Sequence, residues 1–228
     1  MTSFKADEKI LSYNDVVLRK SDLDILSGPH FLNDRIIEFY FSYLASCYVS
    51  HEILLVPPSI SFWAINCPDL NSLKDFVEPL QLPDKKLVIF VVNNNEDVTW
   101  AEGGTHWSSL VYERGANIFV HHDSVAGSNS SHAKRLYRAI TGFMGISGSV
   151  PDVRYVEYTA TPQQMNGYDC GLYVIAIAKV ICSWYESDRS EDKANLWFSA
   201  LKEQVVPSAV AEMRSQILKL VRDLMAKK

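Results

Sequence analysis

The sequence lacks a long apolar run and an excess of positive charge, and each absence excludes a class of protein. The apolar run that begins at Leu172 is interrupted by Lys179, so no segment reaches the roughly 20 apolar residues that span a bilayer. The formal net charge is -5 and no basic tract is present, which argues against a nucleic-acid partner, because that affinity rests on Lys and Arg neutralising phosphates. We therefore expect neither a membrane nor a nucleic acid as a partner.

Cysteine is scarce, with four residues in 228. Residues 1–10 contain no apolar signal region, so we expect the chain to stay in the cytoplasm or the nucleus. In such a reducing compartment Cys47, Cys67, Cys170 and Cys182 are expected to be thiols. The triplet Asn129-Ser130-Ser131 matches a glycosylation acceptor, which has no consequence in that compartment.

The composition otherwise is that of an ordinary globular protein. Hydrophobic residues make up 47% of the chain and charged residues 21%, close to the average for folded domains. Neither a linker nor an internal repeat divides the chain. We therefore expect a single domain over residues 1–228, acting as a monomer.

Hydrophobic periodicity predicts an α+β fold in which helices flank a mixed central sheet. Apolar residues recur at helical spacing behind the capping residues Asn33 and Asp34, as far as Cys47. A helix that begins near residue 69 would carry on one face Leu70, Leu73, Phe76, Val77 and Leu80. Further helices are predicted over residues 58–66, 130–144 and 172–185 and over the remainder of the chain, where Pro207 opens the last one. Strands are predicted over residues 87–92, 107–112, 118–122 and 153–158, the second and third of them joined as a hairpin.

A functional interpretation depends first on Cys170. It is followed by Gly171 and by the predicted buried helix, so its sulfur is expected at a helix N-terminus, where the helix dipole favours an anion. Nucleophilic attack at neutral pH requires a thiolate. Taken alone, a cysteine is more often a small buried apolar residue, and Cys47, Cys67 and Cys182 keep that interpretation.

Two further segments would meet at the open end of the predicted hairpin. Residues 103–107, Gly-Gly-Thr-His-Trp, begin one strand, and residues 121–124, His-His-Asp-Ser, end its partner. If His106 faces Asp123, the carboxylate accepts the imidazole N–H and leaves the other ring nitrogen for Cys170, as in a Cys-His-Asp triad. Taken singly, His106 is as often a structural histidine, and Asp123 is an ordinary turn residue after a strand.

A metal site at His121 and His122 is the alternative interpretation of this region. No Cys or His at finger-like spacing completes a set of four ligands. We therefore predict no metal and no cofactor.

The polar segment over residues 162–171 offers donors for an oxyanion. Gln164 stands six residues before Cys170, and its side-chain amide together with the Cys170 backbone N–H would supply two hydrogen bonds to the developing negative charge. Asn166 and Gly167 would form the tight turn between them. The alternative is a plain polar loop before a helix.

Together, the His-Trp, Asp-Ser and Gln-x5-Cys-Gly motifs resemble those of the Ulp/sentrin-specific protease family of cysteine peptidases. The resemblance implies an Ulp-type protease fold with the nucleophile at the N-terminus of a buried helix. It implies a triad of His106, Asp123 and Cys170, with Gln164 in the oxyanion role. The implied activity is that of a thiol-dependent endopeptidase and isopeptidase that acts on a ubiquitin-like modifier.

The segment Phe31-Leu32-Asn33-Asp34 resembles the early substrate-contact motif of the same family. The resemblance implies that Phe31, Asn33, Asp34 and Trp107 bind substrate, with Phe31 and Trp107 enclosing the di-glycine tail of the modifier in a narrow tunnel. Only glycine lacks the Cβ that would block such a tunnel. The family usually has Trp where this chain has Phe31, so we expect a looser clamp.

Within the family, the chain is most similar to the deneddylase branch, which acts on the Nedd/Rub modifier. Residues 78–83, Glu-Pro-Leu-Gln-Leu-Pro, and the loop over residues 93–104 carry this resemblance. The implied function is cleavage after the C-terminal di-glycine of Nedd/Rub, which matures the precursor and removes the modifier from lysines of target proteins. The expected partners are that modifier and its conjugates.

Three other functions stay open at this point. A protease specific for SUMO or for ubiquitin would use the same triad, a non-catalytic module would retain the fold to bind a ubiquitin-like modifier, and an acyl transferase would reuse a related triad. The presence of all three triad members argues against the binding module. No basic or glycine-rich phosphate site supports the cofactor that an acyl transferase needs.

Overall fold

A five-stranded sheet forms the centre of the computed structural model, which describes residues 7–100, 103–145, 153–187 and 196–227. In sheet order the strands are β3 (Ile53–Leu55), β4 (Leu87–Asn93), β5 (Trp107–Glu113), β6 (Ile118–His122) and β7 (Arg154–Glu157). The three central strands are antiparallel, whereas β3 and β7 run parallel to their neighbours. The sheet is therefore mixed, and the predicted α+β class is confirmed.

Burial on both faces explains why β4 has no alternation of polar and apolar residues. Leu87, Ile89 and Val91 belong to one hydrophobic core, and Val88 and the alternate residues after it belong to the core on the opposite face. Every residue of β4 and of β6 is buried. A strand that is covered on both sides reads as a continuous hydrophobic run, as the sequence of β4 does.

Helices cover the two faces of the sheet unequally. The larger core is formed with the hairpin of β1 (Lys9–Tyr13) and β2 (Val16–Arg19) and with helices α1 (Lys20–Ser27), α2 (Asp34–Cys47), α6 (Cys170–Glu186), α7 (Phe198–Gln204) and α8 (Pro207–Ala226). The smaller core is formed with α3 (Pro58–Asn66), α4 (Leu70–Val77) and α5 (Ser130–Ile140). The helix that begins with Cys170 therefore lies on the more heavily covered face.

Helix α2 begins where its capping residue predicts. The Asn33 side chain accepts a hydrogen bond from the Ile36 backbone N–H at 3.0 Å, which satisfies one of the unpaired donors of the first turn. The same side chain donates to Asp22 at 2.7 Å, and Asp22, which is fully buried, also pairs with Arg35. Residues 31–33, which lead into α2, are thereby attached to α1.

Helix α6 is buried along its first nine residues, 170–178. Its second residue, Gly171, lies against the segment that leads into α2, because a Cβ at this position would stand 2.8 Å from the Leu32 Cβ. Only glycine allows this approach without displacement of one of the two segments. The N-terminus of α6 and residues 31–33 are therefore neighbours.

Four elements lie outside the sequence-based expectation: β1, β2, α1 and β3. Strand β3 has three residues, which is too short for any periodicity to identify. The β1–β2 hairpin turns through Asn14 and Asp15, and Asn14 has a positive φ of 49°. That residue pair was the available signal, since Asn tolerates the left-handed conformation that tight hairpins require.

The predicted apolar face of the helix near residue 69 is wrong at Phe76. Its side chain is 39% exposed and stacks on Trp63 with ring centroids 5.3 Å apart. Helix α4 ends at Val77, and Leu80 lies in a short 3-10 helix, because Pro79 has no N–H to continue the α-helical ladder. Likewise, α5 ends at Ile140 and residues 141–143 continue as a 3-10 helix.

Three sequence-based expectations fall partly outside the described residues. They are the missing signal region at residues 1–6, the loop over residues 93–104 at positions 101–102, and the helical remainder of the chain at residues 188–195. Of the helices that are described, none combines the length and the apolar character needed to cross a bilayer.

Gly171→Ala is expected to destabilise the fold, because the added Cβ would force α6 and Leu32 apart. We expect the free energy of unfolding to fall by about 1–3 kcal/mol, the usual cost of overpacking. Equilibrium urea denaturation measures the change. Gly142→Ala is the matched control, since a Cβ there meets nothing within 4 Å. Equal losses in the two variants would contradict the close approach.

Candidate active site

His106 and Asp123 meet at the open end of the β5–β6 hairpin. His106 directly precedes β5, Asp123 directly follows β6, and the antiparallel pairing of these strands brings both residues to one end of the sheet. His106 Nε2 and Asp123 Oδ1 are 2.6 Å apart, and both side chains are buried. The structure thus brings together the two residues that the hairpin was expected to join.

Backbone donors hold the Asp123 carboxylate from two further directions. The Val125 N–H donates to Oδ1 and the Asn129 N–H to Oδ2, each at 2.9 Å. Burial raises the pKa of Asp123, but the hydrogen bonds from His106, Asn129 and Val125 outweigh burial and keep the pKa below its ordinary value. The carboxylate is therefore ionised and fixed, which is what the orientation of an imidazole requires.

Cys170 is a neighbour of the His106 ring, because its thiol is among the groups that raise the pKa of that ring. Because Asp123 engages Nε2, Nδ1 is the ring nitrogen that remains for the sulfur. Burial lowers the pKa of His106, whereas the hydrogen bonds and charges of Asp123 and Cys170 raise it, and the net pKa is about 9. The ring therefore holds a proton at neutral pH and is able to transfer it to a leaving group.

Cys170 is the first residue of α6 and is 1% exposed. The turn before it is held by side-chain hydrogen bonds. Asn166 Oδ1 accepts the backbone N–H groups of Tyr168 and Asp169, at 3.1 and 3.0 Å, and its Nδ2 donates to the Asp169 carboxylate at 2.7 Å. The nucleophile candidate thus lies at the positive end of the helix dipole, after a turn of defined geometry.

Gln164 is anchored beside Ser124, the residue that follows Asp123. Its backbone N–H donates to the Ser124 carbonyl at 3.0 Å, and its Oε1 accepts the Ser124 hydroxyl at 2.8 Å. Its Nε2 donates to the Asn166 carbonyl at 2.6 Å. Since an amide nitrogen carries two hydrogens, the oxyanion role would use the second one, and that role stays a prediction.

Asn129 forms hydrogen bonds to both His106 and Asp123, although the sequence did not predict it as a site residue. In addition to its N–H bond to Asp123, its side-chain Nδ2 donates to the carbonyls of His106 and Val92, at 3.3 and 3.2 Å, and to the Ser108 hydroxyl at 3.1 Å. The residue is fully buried. The glycosylation triplet was the signal that the sequence offered at this position, and it bears no relation to the observed contacts.

Asn94 fixes the backbone on the other side of His106. Its Oδ1 accepts the N–H groups of Thr105 and His106, at 2.7 and 3.1 Å, and closes the base of the loop between β4 and β5. Gly104 in that loop has a positive φ of 86°, and a Cβ there would lie 2.0 Å from Asn93 Oδ1. The loop therefore needs a glycine immediately before the Thr-His-Trp segment.

Both histidines that precede Asp123 are engaged by protein groups. His121 bonds Glu157 through Nδ1 at 2.6 Å and the Ser108 hydroxyl through Nε2 at 2.9 Å. Burial lowers the pKa of His122 to about 3, and its Nε2 accepts the Trp197 indole N–H at 2.9 Å. Among the residues that the structure describes, no three His, Cys, Asp or Glu side chains gather in a way that would hold a metal.

The four predicted substrate-contact residues, Phe31, Asn33, Asp34 and Trp107, line one groove of about 480 Å³. Phe31 is 49% exposed there. Trp107 is fixed by its indole N–H, which donates to the Leu32 carbonyl at 2.9 Å. Because Trp107 adjoins His106 in the chain, the groove lies next to the His106–Asp123 pair.

Comparison with known proteins shows a consistent similarity. The model of the Ulp1 protease family, C-terminal catalytic domain, matches residues 69–220. NEDD8-specific protease 1 of Arabidopsis thaliana is 54% identical over 220 residues, which cover 96% of this chain and 95% of the relative. Sentrin-specific protease 8 of Homo sapiens is 34% identical over 224 residues, which cover 97% and 100%.

Among solved structures, the C-terminal Ulp1 protease domain in complex with Smt3, the yeast ortholog of SUMO, superposes with a TM-score of 0.66. The match covers 97% of this chain and 90% of that domain, at 16% identity. A crystal structure of a de-sumoylating protease gives the same TM-score at 18% identity, covering 96% and 93%. At such low identity the likeness shows that the fold is shared.

Cys170→Ala is expected to lower the pKa of His106 from about 9, because the hydrogen bond and charge of Cys170 are lost while those of Asp123 remain. An NMR titration of the His106 ring protons measures the change. Cys182→Ala is the matched control. This thiol is also buried on α6, about 18 Å further along the helix axis, and its removal should leave the His106 pKa unchanged. An unchanged pKa in Cys170→Ala would mean that the sulfur does not contact the ring.

Proposed function

Because the chain belongs to the Ulp1 protease family, we propose that it is a cysteine protease and isopeptidase that cleaves after the C-terminal di-glycine of a Nedd/Rub-type modifier. The convergence of Cys170, His106 and Asp123 supports the chemistry. The similarity along nearly the whole chain to a NEDD8-specific protease supports the choice of modifier.

The proposed catalytic cycle uses these three groups and Gln164. The Cys170 thiolate attacks the carbonyl carbon of the last glycine, and the carbonyl electrons move to oxygen, where the Cys170 N–H and the Gln164 amide would stabilise the charge. As the intermediate collapses, the C–N bond breaks and His106 transfers its proton to the departing amine. Water, deprotonated by the now neutral His106, attacks the thioester and releases the modifier with a free C-terminal carboxylate.

Asp123 keeps the imidazole in the orientation that this cycle needs. Its hydrogen bond at Nε2 holds Nδ1 toward the sulfur and the leaving group through both proton transfers. The ring alternates between charged and neutral states, and the fixed carboxylate stabilises the charged one.

The groove beside Trp107 is suited to an extended tail without side chains. Phe31 and Trp107 form apolar walls, and the backbone of residues 31–33 is held by the Trp107 indole and by the Asn33 cap. A di-glycine tail passes such walls because it has no Cβ. Tail binding in this groove directs the last carbonyl toward Cys170, so binding energy remote from the bond positions the bond.

Exposed apolar side chains extend outward from the groove. Trp63 and Val98 belong to its lining and are 40% and 54% exposed, Phe76 stacks on Trp63, and Trp100 in the loop after β4 is 63% exposed. Exposed apolar side chains that cluster, as Trp63 and Phe76 do, are typical of a protein-binding site. We propose that the globular part of the modifier docks on this surface.

The same chemistry serves two leaving groups. A short peptide that follows the di-glycine on a precursor would leave in maturation, and a target lysine amine would leave in deconjugation. Both departures need one proton from His106, so the cycle requires no additional group.

The expected result of a direct test is that purified Nedd/Rub precursor loses its C-terminal extension in the presence of the wild-type chain and not of Cys170→Ala. Electrophilic probes built on Nedd/Rub, SUMO and ubiquitin, compared side by side, should label Cys170 fastest with Nedd/Rub, as mapped by mass spectrometry. If the SUMO probe labels Cys170 fastest, SUMO would replace Nedd/Rub as the proposed substrate. Binding of Nedd/Rub without labelling or cleavage would favour a non-catalytic module.

Cleavage is expected to decline as the pH rises through about 9. The sign follows from the proton that His106 must donate, because a ring with its pKa raised to about 9 keeps that proton up to this pH and loses it above. Measurement of kcat/KM on the precursor across the alkaline range tests this. Asp123→Asn removes one cause of the raised pKa, so its residual activity should decline at lower pH. A decline at the same pH in both enzymes would contradict the assignment to His106.

A further inference from the structure

Arg214 on α8 contacts three separate segments of the chain. Its Nη1 donates to the Ile25 carbonyl in α1 at 3.0 Å, and its Nη2 donates to the His30 carbonyl at 2.9 Å and to Asp169 Oδ1 at 2.8 Å. The Arg214 side chain is 12% exposed and that of Asp169 is 8% exposed. The ion pair is therefore largely removed from water, and the guanidinium is not available to a partner on the surface.

Two of these segments are the two sides of the proposed reaction site. Asp169 immediately precedes Cys170, whereas His30 immediately precedes Phe31 in the wall of the groove. The groove wall is also attached to Trp107 through the Leu32 carbonyl. A single side chain from the last helix thus connects the turn that carries the nucleophile to the segment that would hold the modifier tail.

Asp169 is itself part of a defined turn. Its second oxygen accepts from Asn166 Nδ2 at 2.7 Å, and Asn166 Oδ1 accepts the N–H groups of Tyr168 and Asp169. The guanidinium of Arg214 also lies 5.7 Å from the centre of the Tyr168 ring. A shift of Arg214 would therefore move the residues directly before Cys170.

We propose that Arg214 is a positioning residue, which sets the distance between the Cys170 turn and the groove wall so that the last carbonyl of a bound tail reaches the sulfur. The inference rests on the proposed protease function. The planar guanidinium is suited to this role because its donors point in fixed, separate directions, whereas a lysine ammonium is a single point of charge. Arg214 would act on the bound complex and leave docking of the modifier unaffected.

Kinetics of three variants test the role on the full-length chain with the Nedd/Rub precursor as substrate. Arg214→Lys keeps the charge beside Asp169 but not the fork. The double variant Arg214→Met with Asp169→Asn avoids an unpaired buried charge, so it guards against a simple failure to fold. Arg222→Met changes an exposed arginine on the same helix and is the matched control.

For Arg214→Lys and for the double variant we expect kcat to fall by about 10- to 100-fold, the usual effect of a misplacement near 1 Å, with KM within about twofold of wild type. The melting temperature of Arg214→Lys should stay close to that of wild type. Alkylation of Cys170 by chloroacetamide, mapped by mass spectrometry, should also stay close to the wild-type rate, because this small reagent needs neither tail nor groove. Arg222→Met should match wild type in every measurement.

Two results would overturn the inference while wild type cleaves normally. One is a kcat within about twofold of wild type in both Arg214 variants, because misplacement of the reacting groups would lower kcat by about 10-fold or more. The other is a parallel loss of kcat, alkylation rate and melting temperature in the double variant, together with wild-type values in Arg214→Lys. That result would assign Arg214 to stability. Failure of the proposed function is distinguishable, since wild type would then leave every precursor intact, and the inference would fall with it.

Discussion

The hydrogen bond between His106 and Asp123 is the interaction on which the rest of the site depends. Both side chains are buried, and burial alone would lower the pKa of the imidazole. The carboxylate and the Cys170 sulfur reverse that effect, so a charged ring persists in a largely dry site. The bond forms because antiparallel pairing brings the open ends of β5 and β6 together, and because Asn129 and Asn94 fix the backbone around the two residues.

Cys170 and the groove are connected by packing as much as by hydrogen bonds. Gly171 lets the start of α6 approach Leu32, and the Leu32 carbonyl in turn holds the Trp107 indole. The same short segment is attached to α1 through Asn33 and to α8 through Arg214. The first and last helices of the described chain thus both contact residues 30–33, although neither contains a member of the proposed triad.

Selectivity among modifiers has a different physical basis from catalysis. The proposed triad would act on a glycine carbonyl that is alike in every modifier with a di-glycine tail, so it would offer little means of discrimination. The proposed docking surface would, because Trp63 and Val98 in the groove lining expose apolar area that a complementary partner would cover. This separation agrees with the similarity of the chain both to a NEDD8-specific protease and to an Ulp1 domain solved in complex with Smt3.

The sequence by itself determined the strands of the central hairpin, the start of α2 and the local motifs around His106, Asp123 and Cys170, because periodicity, caps and turn residues are encoded within a few neighbouring positions. It did not reveal β3, whose three residues become a strand only by pairing with β4. It did not reveal the contacts that Asn129 and Arg214 make beside the site either. Their side chains bond backbone carbonyls and a carboxylate that lie from 23 to 189 residues away, and any residue type supplies a carbonyl. Only the packing of helices against the sheet decided those contacts. Two groups that meet in space but are distant in the chain leave no local sequence pattern that would predict their contact.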